Sequence, residues 1–107
     1  MRALLDALPM PVWTRGPGAR IEWVNAAFVK AVEAQSDAEV YARQIELLEQ
    51  RQRQSVEREV ATGKSVAKRV NLIVGGQRKA HDLIVVPVDD VTVSAAIDVA
   101  EIESAKG

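Results

Sequence analysis

The stretch that decides the fold runs Gly18-Ala19-Arg20-Ile21-Glu22-Trp23-Val24-Asn25-Ala26-Ala27-Phe28. The overlapping Gly16-Pro17-Gly18 predicts a turn, because glycine reaches backbone angles closed to other residues and proline fixes its own φ. In the short strand that follows, Ile21 and Trp23 are predicted to share one face, with the alternate residues on the other. Asn25 occupies the N-cap position of a helix, where its side-chain oxygen can accept a hydrogen bond from a main-chain N–H.

Upstream of this stretch, the sequence predicts a short helix and a strand. Leu4, Leu5 and Leu8 form an apolar stripe, and Pro9 ends any helix at the residue before it. The segment Pro11-Val12-Trp13-Thr14-Arg15 is typical of a strand, with prolines only at its entrance. The glycine-proline turn then joins this strand to the next one as a hairpin.

Two charged or polar segments predict further helices. Ser36 followed by Glu39 has the spacing of a capping box, which is a specific helix-start signal. From Glu49 to Thr62 the chain is highly charged, and opposite charges at i,i+4 spacing favour a half-exposed helix with Gly63 as its C′ residue. An arginine-rich RNA-binding helix is the functional alternative, but the interleaved glutamates favour a solvated surface.

The second half of the chain is predicted to be β-structure. Apolar residues alternate from Val66 to Val74, and Gly75-Gly76 is a strong signal for a type I′ hairpin turn. The return strand, 79–88, contains Leu83-Ile84-Val85-Val86-Pro87-Val88, which is apolar on both faces, whereas antiparallel strands normally have one wet face. We therefore expect helices, a terminal segment or another subunit to cover its second face. A last strand alternates from Val91 to Val99.

A helix start follows this last strand. Asp98 and Glu101 have capping-box spacing with the aspartate as cap, and Val99, Ile102 and Ala105 mark one side of a helix. The alternative is a frayed C terminus. A cap at the end of a strand, followed by helix formers with nowhere to pack, favours an output helix leading to another domain.

Composition excludes several classes of function. The 107 residues suffice for one domain with a single core. Fourteen Lys and Arg against fifteen Asp and Glu give a net charge of −1, so charge-driven binding to nucleic acid or to a membrane surface is not expected. The absence of cysteine excludes disulfides, thiolate metal sites and cysteine nucleophiles. No apolar run reaches the roughly 20 residues of a membrane helix, and we expect a cytoplasmic location.

Three segments resemble the sequences of PAS domains. The stretch from Gly18 to Phe28 resembles the family's Gly-x-Ile-x-Tyr/Trp-x-Asn-x-Ala segment. Residues 96–103 resemble its Asp-Ile-Thr exit motif, with Ala100 in the place usually taken by threonine. Residues 4–13 are similar to the start of PAS domains in bacterial sensor histidine kinases, particularly those of alphaproteobacterial cell-cycle signalling. The three motifs occur in the order and spacing found in the family.

The resemblance implies an α+β fold, with a five-stranded antiparallel sheet of strand order 2-1-5-4-3 and helices packed on one face. Residues 1–98 would form the sensor domain, with an N-terminal helical cap at 1–8, and residues 99–107 would begin a C-terminal output helix. It also implies that signals arise from a ligand between helices and sheet, or from a change in dimer packing, and leave through the helix after the last strand.

No catalytic or cofactor-binding constellation is found in the sequence. His81 is the only histidine, and its neighbour Asp82 is predicted to point to the opposite face of a strand. The serines lack nucleophile-elbow glycines, and there is no Walker motif. Light-sensing flavin chemistry needs a cysteine, and haem needs an axial ligand, for which a strand histidine is a poor candidate. We predict no catalytic residue, no metal and no cofactor; flavin bound without a covalent bond stays open.

Two sets of residues are candidates for binding. Four aromatic residues are candidates for the wall of a small-molecule pocket: Trp13, Trp23, Phe28 and Tyr41. For the two tryptophans we favour the alternative of core packing, because so small a domain needs both rings in its core. We also expect a homodimer, and five apolar residues are candidates for its surface: Leu4, Leu5, Leu8, Ile84 and Val86.

The sequence therefore predicts a sensing, relay and dimerisation module of a two-component sensor histidine kinase, with no catalysis of its own. Its expected partners are a second copy, a downstream kinase domain reached through the C-terminal helix, and another signalling protein. Neither nucleic acid nor direct membrane contact is expected. Two alternatives stay open: a sensor that binds a small metabolite or, less favoured, haem or flavin; and a protein-interaction domain whose core is filled by its own side chains.

Overall fold

The computed structural model describes residues 2–100, with side chains from residue 4 onward. A single 3-10 turn, Pro17–Ala19, lies between the first two strands. The helices and strands within this range are, in chain order, α1 Arg2–Ala7, β1 Val12–Arg15, β2 Ile21–Val24, α2 Ala26–Ala31, α3 Asp37–Arg43, α4 Gln50–Val60, β3 Val66–Val74, β4 Gln77–Val88 and β5 Val91–Asp98.

The five strands form one antiparallel sheet in the order β2-β1-β5-β4-β3, which confirms the strand order that the resemblance implies. Helices α2, α3 and α4 pack on one face, here called the inner face, and enclose the core with it. The opposite face is called the outer face. The core side chains that belong to the sheet include Trp13, Ile21, Val24, Val66, Leu72, Leu83, Val85 and Ala96.

A β-bulge in the first hairpin changes which residues share a face. The register pairs three residues of β1 with three of β2: Trp13 with Val24, Thr14 with Trp23, and Arg15 with Ile21. Glu22 is the extra residue of the bulge, so Ile21 and Val24 both lie on the inner face and Trp23 lies on the outer face. The prediction that Ile21 and Trp23 share one face is therefore wrong, because it assumed a regular alternation along β2.

Asn25 joins four segments of the chain from a fully buried position. Its Oδ1 accepts hydrogen bonds from the main-chain N–H groups of Phe28 (3.0 Å) and Val12 (3.0 Å). Its Nδ2 donates to the carbonyl oxygens of Leu5 (3.0 Å) and Met10 (2.9 Å). The predicted N-cap is confirmed, and the same side chain also ties α1 and the start of β1 to the β2–α2 junction.

Two side chains of the α3 region close the free edge of the sheet at β2. The main-chain N–H of Ile21 donates to the side-chain oxygen of Gln44 (2.8 Å), whose amide nitrogen donates back to the Ile21 carbonyl (3.2 Å). The N–H of Val24 donates to the Tyr41 hydroxyl (3.1 Å). These bonds satisfy edge groups that would otherwise be available to pair with another chain.

The predicted helix start at Ser36 and the predicted turn at Gly75-Gly76 are confirmed. Ser36 caps α3 by accepting from the N–H of Glu39 (3.2 Å). A capping box with Glu49 as N-cap begins α4. At the β3–β4 turn, Gly75 and Gly76 both have positive φ (57° and 80°), as a type I′ turn requires.

The outer face carries an exposed apolar strip. Of the five large hydrophobic side chains that are exposed among the described residues, four lie on this face: Ile73, Ile84, Val86 and Val88. Ile84, Val86 and Val88 continue into the half-buried Val91, Val93, Ala95 and Ile97 of β5. Ile73 lies apart from them, opposite Arg78 near the β3–β4 turn. The second apolar face predicted for β4 is therefore present, and the described part of the chain leaves it open to solvent.

Replacement of Asn25 by alanine is expected to lower the free energy of unfolding by about 3 kcal/mol or more, because it leaves several buried main-chain groups without partners. Urea unfolding followed by circular dichroism measures this loss. Ser36→Ala is the matched control, since it removes an exposed N-cap and should cost about 1 kcal/mol. Equal losses for the two variants would contradict the role assigned to Asn25.

The two tryptophans are expected to differ in their contribution to stability. Trp13 is buried in the core, so Trp13→Ala should cost roughly 3–5 kcal/mol. Trp23 is only half-buried and lies on the outer face, so Trp23→Ala should cost less than half as much. Denaturant unfolding of both variants, compared at matched oligomeric state, tests this. Similar losses would argue against the bulge at Glu22.

Candidate functional site

The four aromatic residues proposed for a ligand pocket do not lie together. The rings of Trp13 and Phe28 are packed in the core with centroids 5.3 Å apart and a 55° tilt. Tyr41 is half-buried and its hydroxyl is bonded to the edge of β2. Trp23 lies across the sheet from the other three, which corrects the expectation that both tryptophans pack in the core. One pocket between helices and sheet therefore does not contact all four.

A cleft of about 190 Å³ lies between α4 and the inner face of the sheet. It is the candidate site, and we call it the α4 cleft. Its apolar lining comprises Leu48, Val56, Val60 and Val85. Its polar lining includes Arg15, Arg53, Thr92 and Ser94, with the exposed Glu57 and Asp90 also contributing.

The cleft exists because small and large side chains alternate across neighbouring strands. On the inner face, Ser94 of β5 lies between Trp13 of β1 and Val85 of β4. A serine between these larger residues leaves space beneath α4. Val56 and Val60 are one helical turn apart, so both project from α4 toward that space. The thin apolar seam predicted for this helix thus forms one wall of the cleft.

Three charged side chains form an ion cluster beside the cleft. Arg15 makes a two-point contact with Glu46, in which its Nη1 is 3.0 Å from Oε2. Arg15 also donates to the carbonyl of Ala19 (2.9 Å). Arg53 approaches the same carboxylate, with Nε 3.9 Å from Oε2, and donates from Nη1 to the carbonyl of Leu48 (2.8 Å). Two guanidinium groups therefore share one carboxylate, and one positive charge is left over in the cluster.

Sequence reasoning did not identify the ion cluster or Ser94. Arg15 and Glu46 are 31 residues apart in the chain, and nothing in the sequence links them. Arg53 lies in the charged segment, whose pattern favours a solvated helix face. Ser94 is one of the polar positions in a regularly alternating strand, where the polar residue is normally assigned to solvent. On β5 the polar-looking positions 94 and 96 face the core instead.

His81 has a structural place in the sheet. It is buried on the inner face, and its Nδ1 lies 3.0 Å from the carbonyl oxygen of Lys79. Asp82 points to the outer face and accepts a hydrogen bond from Nε of Arg69 (3.1 Å). The prediction that the two side chains point to opposite faces is confirmed, so they do not form a catalytic pair.

The predicted exit residue Asp98 lies at the end of the central strand. Its Oδ1 accepts from the N–H of Ala100 (2.8 Å), and its Oδ2 is 3.9 Å from Nζ of Lys79. Helical backbone begins at Val99. Glu101, the second half of the proposed capping box, lies outside the described residues, as do Ile102 and Ala105.

The proposed dimer residues are divided between two places. Ile84 and Val86 are exposed in the apolar strip of the outer face. Leu4 is exposed on α1, whereas Leu5 and Leu8 are half-buried. Within residues 2–100, no helix is long and apolar enough to cross a membrane. The same part of the chain contains no group of three or more side chains arranged to hold a metal ion.

Comparisons with known proteins relate this geometry to solved structures. No family model and no curated protein matches the sequence. A domain of a sensory box sensor histidine kinase/response regulator from Geobacter sulfurreducens has a TM-score of 0.68 at 18% identity, covering 91% of this chain and 90% of its own. The PAS domain of Bordetella pertussis BvgS has a TM-score of 0.67 at 18% identity, covering 99% and 84%.

The PAS domain of nitrogen regulation protein NR(II) from Vibrio parahaemolyticus has a TM-score of 0.62 at 16% identity, with coverage of 92% of this chain and 96% of that one. At this level of identity the similarity concerns the arrangement of the backbone. It agrees with the sheet order and with the helices packed on the inner face. The chain has the PAS fold.

Proposed function

We propose that this chain is a signal-sensing and relay module of a bacterial two-component sensor histidine kinase, located in the cytoplasm and without catalysis of its own. One observation carries the proposal: β5, the central strand of the sheet, connects the α4 cleft to the end of the domain at Asp98. Thr92 and Ser94 of this strand line the α4 cleft, and Asp98 at its end accepts a hydrogen bond from the N–H of Ala100, where we place the start of the output helix. In this proposal, a change in the cleft would reach Asp98 through the backbone of a single strand, β5.

The solved structures add support from fold-level analogy, since the Geobacter neighbour is a domain of a sensor histidine kinase/response regulator. In this proposal residues 1–98 form the sensor and residues 99–107 begin the output helix, with Asp98 and Glu101 as its start. The downstream partner is a kinase domain, and another signalling protein is a further candidate partner.

Dimerisation is the second part of the proposal, and the partner is a second copy of this chain. Ile84 and Val86, together with Val88, place a continuous apolar strip on the outer face. A surface of this kind is typical of a protein–protein contact, and a symmetric pair would bury the same strip on both subunits. Leu4, which is exposed, and the half-buried Leu5 and Leu8 are proposed as a second part of the dimer surface, on α1.

The α4 cleft favours one of the alternative functions over the other. A protein-interaction domain with a filled core would leave no space between α4 and the sheet. A cleft of about 190 Å³ lined by both apolar and polar side chains instead supports a sensor for a small metabolite. We keep this as the second candidate function.

The relay is tested by fusing residues 1–107 to the catalytic part of a histidine kinase in a series of linker lengths that spans one heptad. Autophosphorylation is expected to vary with linker length and to change several-fold in Asp98→Ala, because that variant loses the helix cap. Asp98→Asn retains a capping side chain and should restore the parental level. Glu59→Ala, which removes an exposed carboxylate from α4, is the charge-matched control. If autophosphorylation is the same at every linker length and in Asp98→Ala, the relay role is contradicted.

The dimer is tested by sedimentation velocity over a range of protein concentrations. The parental chain should sediment as a dimer at high concentration, and Val86→Lys should shift it to monomer because a charge is then placed in the apolar strip. Gln54→Lys adds the same charge to an exposed position of α4 and should leave the dimer intact. If the parental chain stays monomeric at all concentrations, the proposal that the outer face forms a dimer contact is wrong.

A further inference from the structure

We propose that the α4 cleft binds a small carboxylate with an apolar body, held by Arg53 and Ser94. This inference deepens the second candidate function by naming the class of ligand, and it rests on the proposal that the domain is a sensor. It draws on the unshared charge of the ion cluster, on the free hydroxyl of Ser94, and on the size and lining of the cleft.

Arg53 supplies the charge that a carboxylate would meet. Arg15 is already committed to Glu46 by two contacts and to a carbonyl oxygen by a third. Arg53 makes only a long approach of 3.9 Å to that carboxylate and one hydrogen bond from Nη1. Its Nη2 has no partner within the described residues, and a guanidinium group offers five donors in a planar fork that fits a carboxylate.

Ser94 supplies the second polar contact. The residue is only 3% exposed, yet its hydroxyl makes no hydrogen bond with another group of residues 4–100. Within that range no fully enclosed side-chain nitrogen or oxygen lacks a partner, so the Ser94 oxygen is accessible from the cleft that it lines. The hydroxyl of a residue this buried normally has a partner, and here we assign that partner to the ligand that would occupy the cleft.

The remaining lining defines the rest of the ligand. Val56 and Val60 of α4 and Val85 of β4 form an apolar wall that suits a hydrocarbon or aromatic body. The volume of about 190 Å³ is below the range of pockets that take drug-sized molecules, so the body is small. Glu57 and Asp90 also border the cleft, but both are exposed, and water and salt screen their repulsion of an anion.

Three probes of nearly the same shape separate the carboxylate from its alternatives: benzoate, benzyl alcohol and benzylamine. Binding to the 107-residue chain is measured by calorimetry and by the rise in melting temperature with probe concentration. Benzoate is expected to bind at least about tenfold more tightly than benzyl alcohol, because only the carboxylate can form a two-point ion pair with the guanidinium of Arg53. Benzylamine is expected to leave the melting temperature unchanged. Equal binding of benzoate and benzyl alcohol, or no binding of benzoate, would overturn the proposal.

Variants assign the contacts. Arg53→Gln should abolish the preference for benzoate over benzyl alcohol. Ser94→Ala should lower the affinity for benzoate several-fold but keep that preference. Arg51→Gln is the matched control, since it removes the same charge from an exposed position of the same helix and should bind benzoate as the parental chain does. Melting curves without probe show whether each variant is folded. If Arg53→Gln does not fold, Ser94→Ala still tests whether benzoate binds in the α4 cleft. An unchanged preference in folded Arg53→Gln would overturn the assignment.

The test separates this inference from the proposed function. If benzoate does not bind but the kinase fusion still responds to Asp98, the ligand class is wrong and the relay stands. If benzoate binds as expected but the fusion ignores Asp98 and linker length, the ligand site stands and the relay is wrong.

Discussion

The four hydrogen bonds of Asn25 are the constraint on which the rest of the structure depends. They hold the end of β2, the start of α2, the start of β1 and the carbonyl end of α1 around one buried amide. An amide can serve all four because it carries two donors and an accepting oxygen on one rigid plane. Neither a carboxylate nor a hydroxyl offers that combination. With β1 placed in this way, β5 pairs beside it as the central strand of the sheet.

The parts of the fold that could be predicted are those that depend on neighbours in sequence. The caps at Asn25 and Ser36 and the glycine pair at 75–76 each involve residues within about three positions of one another, where spacing determines geometry. The face of Trp23 could not be predicted in the same way. It depends on the bulge at Glu22, which is a property of the pairing between two strands and leaves no mark in the alternation of β2 itself.

The candidate site was less accessible to prediction than the fold for a related reason. The ion cluster brings together β1, the segment before α4, and α4 itself, and their contacts depend on how the helix lies across the sheet. The alternation of β5 predicts that Ser94 faces solvent, but the strand register places it between Trp13 and Val85. The aromatic residues were the obvious candidates by type, but two of them are needed to fill the core, and Trp23 faces away from it.

The two faces of β5 are coupled by geometry. Successive side chains alternate across the strand, so Ser94 borders the α4 cleft while Val93 and Ala95 belong to the outer face. A small displacement of β5 that accommodates a ligand on the inner face would therefore also move residues of the proposed dimer contact. It would reach Asp98 and the start of the exit helix along the same backbone. In the proposed relay, both routes therefore run through one central strand, and they need not be separate mechanisms.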